Sequence, residues 1–288
     1  VLQNKALMYN LLFRATAETL LEIAANWRGL QAKIGFFAIL HTWGQKLDLH
    51  PHLHCVVPGG GLSLDETRWV RCQPGFFLPV KMLSRFFRGR FLALLKAAHR
   101  RGELTLKGRL ESLASPRDFN IWLTPLYQKE WVVYAKPPWN GPQQVLKYLA
   151  RYTHRVAIAN QRLLSMDNGQ VTFQYKDYRN QHRQRTLTLP ATEFIRRFMM
   201  HVVPRGFMRI RYYGFLANTH RDKQLDKIRK LLNAHQPEPT CEEQPQDYPH
   251  DDPGSQRCPN CRGTMRSIDI SPRPKLSEIL EISLLVPT

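Results

Sequence analysis

Two short runs near the start of the chain constrain its fold most. Residues 34–43, Ile-Gly-Phe-Phe-Ala-Ile-Leu-His-Thr-Trp, are β-branched and aromatic, and His-Leu-His-Cys-Val-Val-Pro follows closely at 52–58. Both read as strands. Their closeness in sequence predicts an antiparallel hairpin. His50-Pro51 reads as part of its turn, and Gly59-Gly60-Gly61 ends the second strand in a flexible turn. Side chains alternate along a strand, so His52 and His54 share one face while Leu53 and Cys55 take the other. Two imidazoles a few ångströms apart can chelate one divalent ion. The alternative is a His-rich strand end that only packs and hydrogen-bonds. A third ligand belongs on the neighbouring strand. Gln45, seven residues before His52, and His41 are the candidates.

The rest of the chain alternates helical and extended patterns, which predicts an α+β fold. Apolar spacing predicts helices over 3–25, 79–101, 116–128, 190–203 and 218–235. Residues 130–136, Glu-Trp-Val-Val-Tyr-Ala-Lys, read as a strand broken by the run from Pro137 to Pro142. A helix is expected from Pro142 to Tyr152 or His154, with proline in its first turn. Residues 156–189 predict a β-meander that begins with a strand at 155–158 and turns at Asp167-Asn168-Gly169.

On the expected helix, Tyr148 and Tyr152 are four apart and share a face. A phenol is a weak nucleophile at neutral pH. It becomes effective when a divalent ion polarises its phosphate target. Lys147, Arg151, His154 and Arg155 flank the pair and are candidate phosphate contacts. The alternative is two core tyrosines, although Val145, Leu146 and Leu149 already serve the core.

Charge points to the partner. The chain of 288 residues has a net charge of +19. Residues 1–235 hold 37 Lys/Arg against 14 Asp/Glu, whereas 236–288 hold five against nine. Such a basic body concentrates a polyanion at its surface, so nucleic acid is the expected partner. Trp43, Trp139 and Tyr178 are candidates for stacking on unpaired bases, with a core role as the alternative. No apolar run reaches the roughly 18 residues of a membrane span, and no secretion leader is recognised. The expected location is therefore inside the cell.

Five cysteines in no disulfide-framework spacing predict a reducing compartment. From Gln236 the composition turns acidic and Pro-rich, which predicts a linker and a flexible tail. Cys258-Pro259-Asn260-Cys261 is half of a zinc-knuckle site, with Cys241 and His250 as candidate further ligands at irregular spacing. The alternative is a disordered tail that binds nothing.

Several segments together resemble the rolling-circle insertion-sequence transposases of the IS-ninety-one type. They are His41-Thr42-Trp43-Gly44-Gln45 with His50 to Gly61, Trp131 to Pro138, Tyr148 to Ile158, and Tyr213 to Asn218. That family belongs to the HUH (His-hydrophobic-His) endonucleases, with replication initiators and relaxases. The resemblance covers about residues 1–235. It implies a central antiparallel sheet flanked by helices, with the His pair on a middle strand and the tyrosine helix facing the metal. It also implies Mg²⁺ or Mn²⁺, single-stranded DNA as substrate, and Tyr148 and Tyr152 as nucleophiles in a 5′-phosphotyrosine mechanism. His52, His54 and, as first choice for the third ligand, Gln45 carry over as the metal site.

The expected domains are an endonuclease core at 1–158, a basic meander-and-helix extension at 159–235, and a tail at 236–288 with a possible Zn²⁺ site. Family members also have a Cys-rich, zinc-binding N-terminal segment with no counterpart among these 288 residues. The helical pattern begins almost at Val1, as expected of a fragment. The alternatives are a plasmid replication initiator or relaxase, and a truncated DNA-binding remnant without activity.

Overall fold

Helix α1 (Lys5–Asn26) is buried on two sides. The computed structural model describes residues 1–136, 145, 157–178 and 180–233. Tyr9, Phe13, Ala17, Leu20 and Ala24 recur at helical spacing and pack with Ile34, Phe36, Ala38 and Leu40. On its other side, Leu11 packs with α2 (Val80–Arg100) and α3 (Pro116–Gln128) through Leu92, Leu95, Phe119 and Leu123. Helix α1 ends where Trp27 turns extended and its N–H donates to the Ile23 carbonyl. Helix α3 starts on a Ser115 cap with Pro116 in its first turn.

The strands form three antiparallel ladders among the described residues. The first has β2 (Gly35–Trp43) between β3 (Leu49–Val56) and β9 (Ile210–Gly214). The second joins β1 (Ala32–Lys33), β4 (Gly60–Ser63) and β5 (Trp69–Arg71). The third is the meander of β6 (Leu163–Asp167), β7 (Gln170–Asp177) and β8 (Arg183–Pro190). Helix α4 (Ala191–Met200) follows the meander directly, and α5 (Arg221–Leu231) closes the described chain. The fold is thus antiparallel α+β, but the single central sheet that was expected is divided into three ladders. Strand β3, which carries the His pair, is an edge strand among the described residues rather than a middle one. No helix among them is long and apolar enough to cross a membrane.

Several local expectations need correction. His50 and Pro51 lie inside β3, not in its turn. Proline lacks an N–H, which an edge strand tolerates, and the register shifts at this point between His41 and Trp43. Gly60 and Gly61 are buried in β4 rather than forming a flexible turn. A Cβ on Gly61 would meet the Lys33 carbonyl oxygen at 2.6 Å, so only glycine lets the strands approach here. Residues 130–136 form no ladder. Helix α2 takes a carbonyl that a ladder would use, as Ser84 Oγ donates to Trp131 O, and just before the segment Arg88 Nη1 donates to Lys129 O. Ala157 and Ile158 are not strand either, and the meander begins at Leu163. Ala157 has φ +58° and is buried beside Leu47, Phe173 and Leu189.

Candidate metal centre

Register assembles the site. In an antiparallel ladder, directly opposed residues share a face. His41 of β2 opposes His52 of β3, and Ile39 opposes His54. All four therefore lie on the face away from α1. Their neighbours Leu40, Leu53, Ala38 and Cys55 occupy the α1 side. The imidazoles of His41, His52 and His54 each bring a nitrogen to within 4.8 Å of the others. His52 Nε2 and His54 Nε2 are 3.1 Å apart. Two ligands about 2.0–2.1 Å from one ion stand roughly 2.8–3.0 Å apart at octahedral angles and roughly 3.3–3.4 Å apart at tetrahedral ones, a range that brackets this separation.

The surroundings prepare these rings as ligands. His52 Nδ1 donates to the His50 carbonyl at 2.7 Å, which leaves Nε2 with its lone pair. Burial lowers the pKa of His52. Burial, reinforced by repulsion from His41, His52 and Lys136, lowers His54 to about 3. Both are neutral at pH 7, the state a metal requires. The indole of Trp43 stacks on His41 with centroids 4.5 Å apart. The Cys55 thiol, turned to the α1 side, is pushed up to about 12 by burial and offers no thiolate.

Gln45 sits elsewhere. It lies in the β2–β3 turn, where its Oε1 accepts the Lys176 backbone N–H at 3.2 Å. The side chain that the resemblance favoured as third ligand thus docks the meander, and His41 is the side chain beside the pair.

The turn itself is held from three directions. Arg162 donates to the Gln45 carbonyl, and Arg197 to that of Lys46 at 3.1 Å. His201, 2% exposed, donates from Nε2 to the Leu47 carbonyl at 3.2 Å and accepts from Thr42 Oγ1 at 3.3 Å. Leu47 is fully buried with Phe173, Leu189, Trp43 and Phe198. The sequence reading missed Arg162 and His201, because nothing local marks a residue whose partner lies more than 100 positions away.

The remaining candidates fall outside the described residues: Tyr148, Tyr152, Lys147, Arg151, His154, Arg155 and Trp139, and Cys241, His250, Cys258 and Cys261 of the tail.

Comparison with known proteins gives a consistent set of relatives. The sequence family Y2_Tnp, described as "Putative transposase", matches residues 35–224. That interval runs from β2 into α5 and includes every histidine of the cluster. A protein of Sinorhizobium fredii named "Putative transposase y4qJ" is 53% identical over 274 residues, 93% of this chain and 69% of that protein. The "Transposase for insertion sequence element IS801" of Pseudomonas savastanoi pv. phaseolicola is 29% identical over 233 residues, 80% of this chain and 54% of that protein. No solved structure matches.

Proposed function

This chain belongs to the transposase family that matches residues 35–224, and from that premise we propose that it nicks and rejoins single-stranded DNA through a tyrosine, so mobilising an insertion sequence by rolling-circle transposition. The observation that carries this reading is the cluster of His41, His52 and His54 on one face of the hairpin. Three imidazole nitrogen donors fit a divalent ion and leave the rest of its shell to water or phosphate oxygens. Of Mg²⁺ and Mn²⁺, the nitrogen set suits Mn²⁺ better, because Mg²⁺ takes oxygen ligands almost throughout. A bound ion there neutralises charge on the scissile phosphate and orients it.

The nucleophiles in this reading are Tyr148 and Tyr152. The phenolic oxygen bonds to phosphorus as its proton leaves. The bond to the 3′ oxygen breaks, and that oxygen takes up a proton. The products are a 5′-phosphotyrosine and a free 3′-hydroxyl. Attack by a 3′-hydroxyl reverses the step and rejoins the strand without ATP. Lys147, Arg151, His154 and Arg155 hold phosphates nearby. Chain connectivity supports this assignment. The chain leaves the described part at Lys136, whose charge acts on His54. Apart from Val145, it re-enters at Ala157, in the same small core as the Trp43 that stacks on His41. Both tyrosines lie between these anchors. The basic body, with 37 Lys/Arg in residues 1–235, supports a DNA partner.

The test is a covalent adduct assay. The chain is incubated with circular single-stranded DNA and Mn²⁺ and run on a denaturing gel. A protein–DNA adduct is expected, and it is lost in the double variants His52→Ala/His54→Ala and Tyr148→Phe/Tyr152→Phe. An adduct that survives in either double variant overturns the residue assignments. No adduct from the unaltered chain overturns the cleavage reading.

A further inference from the structure

Among the described residues most aromatic rings pack in a core, but Tyr178 does not. It lies in the turn between β7 and β8 and is 58% exposed. By contrast Tyr175, three residues earlier, is 8% exposed. The Tyr178 ring is nonetheless framed. His182 stands nearly perpendicular to it, at 84° with centroids 5.3 Å apart. Lys176 Nζ lies over it, 5.8 Å from the centroid. The turn closes through Asn180 Nδ2, which donates to Asp177 Oδ2 at 2.7 Å, and Gln181 and His182 both take left-handed backbone angles. Arg183 and Arg185 begin β8 at the same end of the meander and are exposed. The surface therefore combines an exposed ring, an adjacent imidazole and a set of cations around one carboxylate.

This surface is also close to the histidine hairpin. Lys176, two residues before Tyr178, donates its backbone N–H to Gln45 Oε1 at 3.2 Å, and the Arg162 guanidinium donates from Nε to the Gln174 carbonyl of β7 at 2.7 Å. The same guanidinium donates to the Gln45 carbonyl in the β2–β3 turn, two residues from Trp43. Lys46 of that turn lies over the Tyr175 ring at 4.8 Å.

We propose that the β7–β8 turn is a stacking platform for an unpaired base of the DNA strand, with Tyr178 as the ring it stacks on and Lys176, Arg183 and Arg185 as phosphate contacts. This rests on the single-stranded DNA reading given above. An aromatic face accepts any base, so the platform positions the strand without reading its sequence. Duplex DNA keeps its bases stacked inside and cannot use it.

The test uses the full chain and two labelled strands of equal length: oligothymidylate, and an abasic strand with the same phosphates but no bases. Binding is followed by fluorescence anisotropy. Tyr178→Ala is expected to weaken oligothymidylate binding about 5- to 150-fold, the range of base–aromatic stacking, and to leave abasic-strand binding unchanged. Unchanged abasic binding also shows that the variant is folded. Tyr178→Trp is expected to bind both strands as the unaltered chain does. Lys176→Ala is expected to weaken both strands and flatten the salt dependence by about one phosphate contact. If Tyr178→Ala binds oligothymidylate normally, or weakens both strands equally, the platform is wrong. Adduct formation by the unaltered chain, measured in parallel, separates that failure from a failure of the cleavage reading.

Discussion

Strands β2 and β7 occupy the same place in their ladders, each the middle of three antiparallel strands, yet they are used in opposite ways. Strand β2 is apolar from Gly35 to Leu40 and almost wholly buried, with Phe36, Ala38 and Leu40 on the α1 side and Ile39 and His41 on the other. Strand β7 alternates: Val171, Phe173 and Tyr175 are buried, while Gln170 and Lys176 are exposed. Double burial gives β2 a neutral, desolvated environment, which turns histidines opposed across the ladder into a metal-ready set. Single burial leaves β7 with a hydrated face and an accessible turn, suited to a long, charged, flexible ligand. The two ladders meet at the β2–β3 turn, where Gln45 and Leu47 contact the meander.

The largest expected effect is in β2. Phe36→Ala should cost about 3–5 kcal/mol by leaving a cavity against α1, measured as a shift in urea midpoint. Thr172→Ala on the hydrated face of β7, where Thr172 pairs with Thr188 at 2.9 Å, should cost only about 0.2–1 kcal/mol. Similar losses in the two variants would break the contrast between the strands.

An intermediate effect concerns pH at the junction. Burial lowers the pKa of His201 in the folded chain, below the value of about 6.5 expected when unfolded. Its contribution is complete above that value. As pH falls through it, the unfolded chain takes up a proton that the folded chain resists, and stability declines. One such group contributes at most about 1.4 kcal/mol per pH unit. The melting temperature should therefore drop less between pH 7.5 and 5.5 in His201→Gln than in the unaltered chain. An equal drop would remove His201 from the account.

Much of this was readable from sequence, for identifiable reasons. The hairpin was legible because strand alternation is local and His52 and His54 are two apart. Helices α1, α2 and α3 were legible because their apolar spacing is regular, and Pro116 marks the start of α3. Strand β9 is not legible in the sequence: its five residues include Arg211, and its partner β2 lies some 170 positions earlier. The strand expected at 130–136 had the right composition, but propensity does not show that α2 captures the Trp131 carbonyl. The choice between His41 and Gln45 was not legible for a related reason. It depends on ladder register, set by the His41–His52 pairing and the shift beside it, and neither is visible in the spacing of the residues alone.

The most direct test of the metal centre is calorimetric titration of the full chain with Mn²⁺. The account predicts one ion per chain, with binding abolished in His41→Ala and retained in Gln45→Ala, both variants still melting cooperatively. Binding that survives in folded His41→Ala and disappears in Gln45→Ala would contradict it.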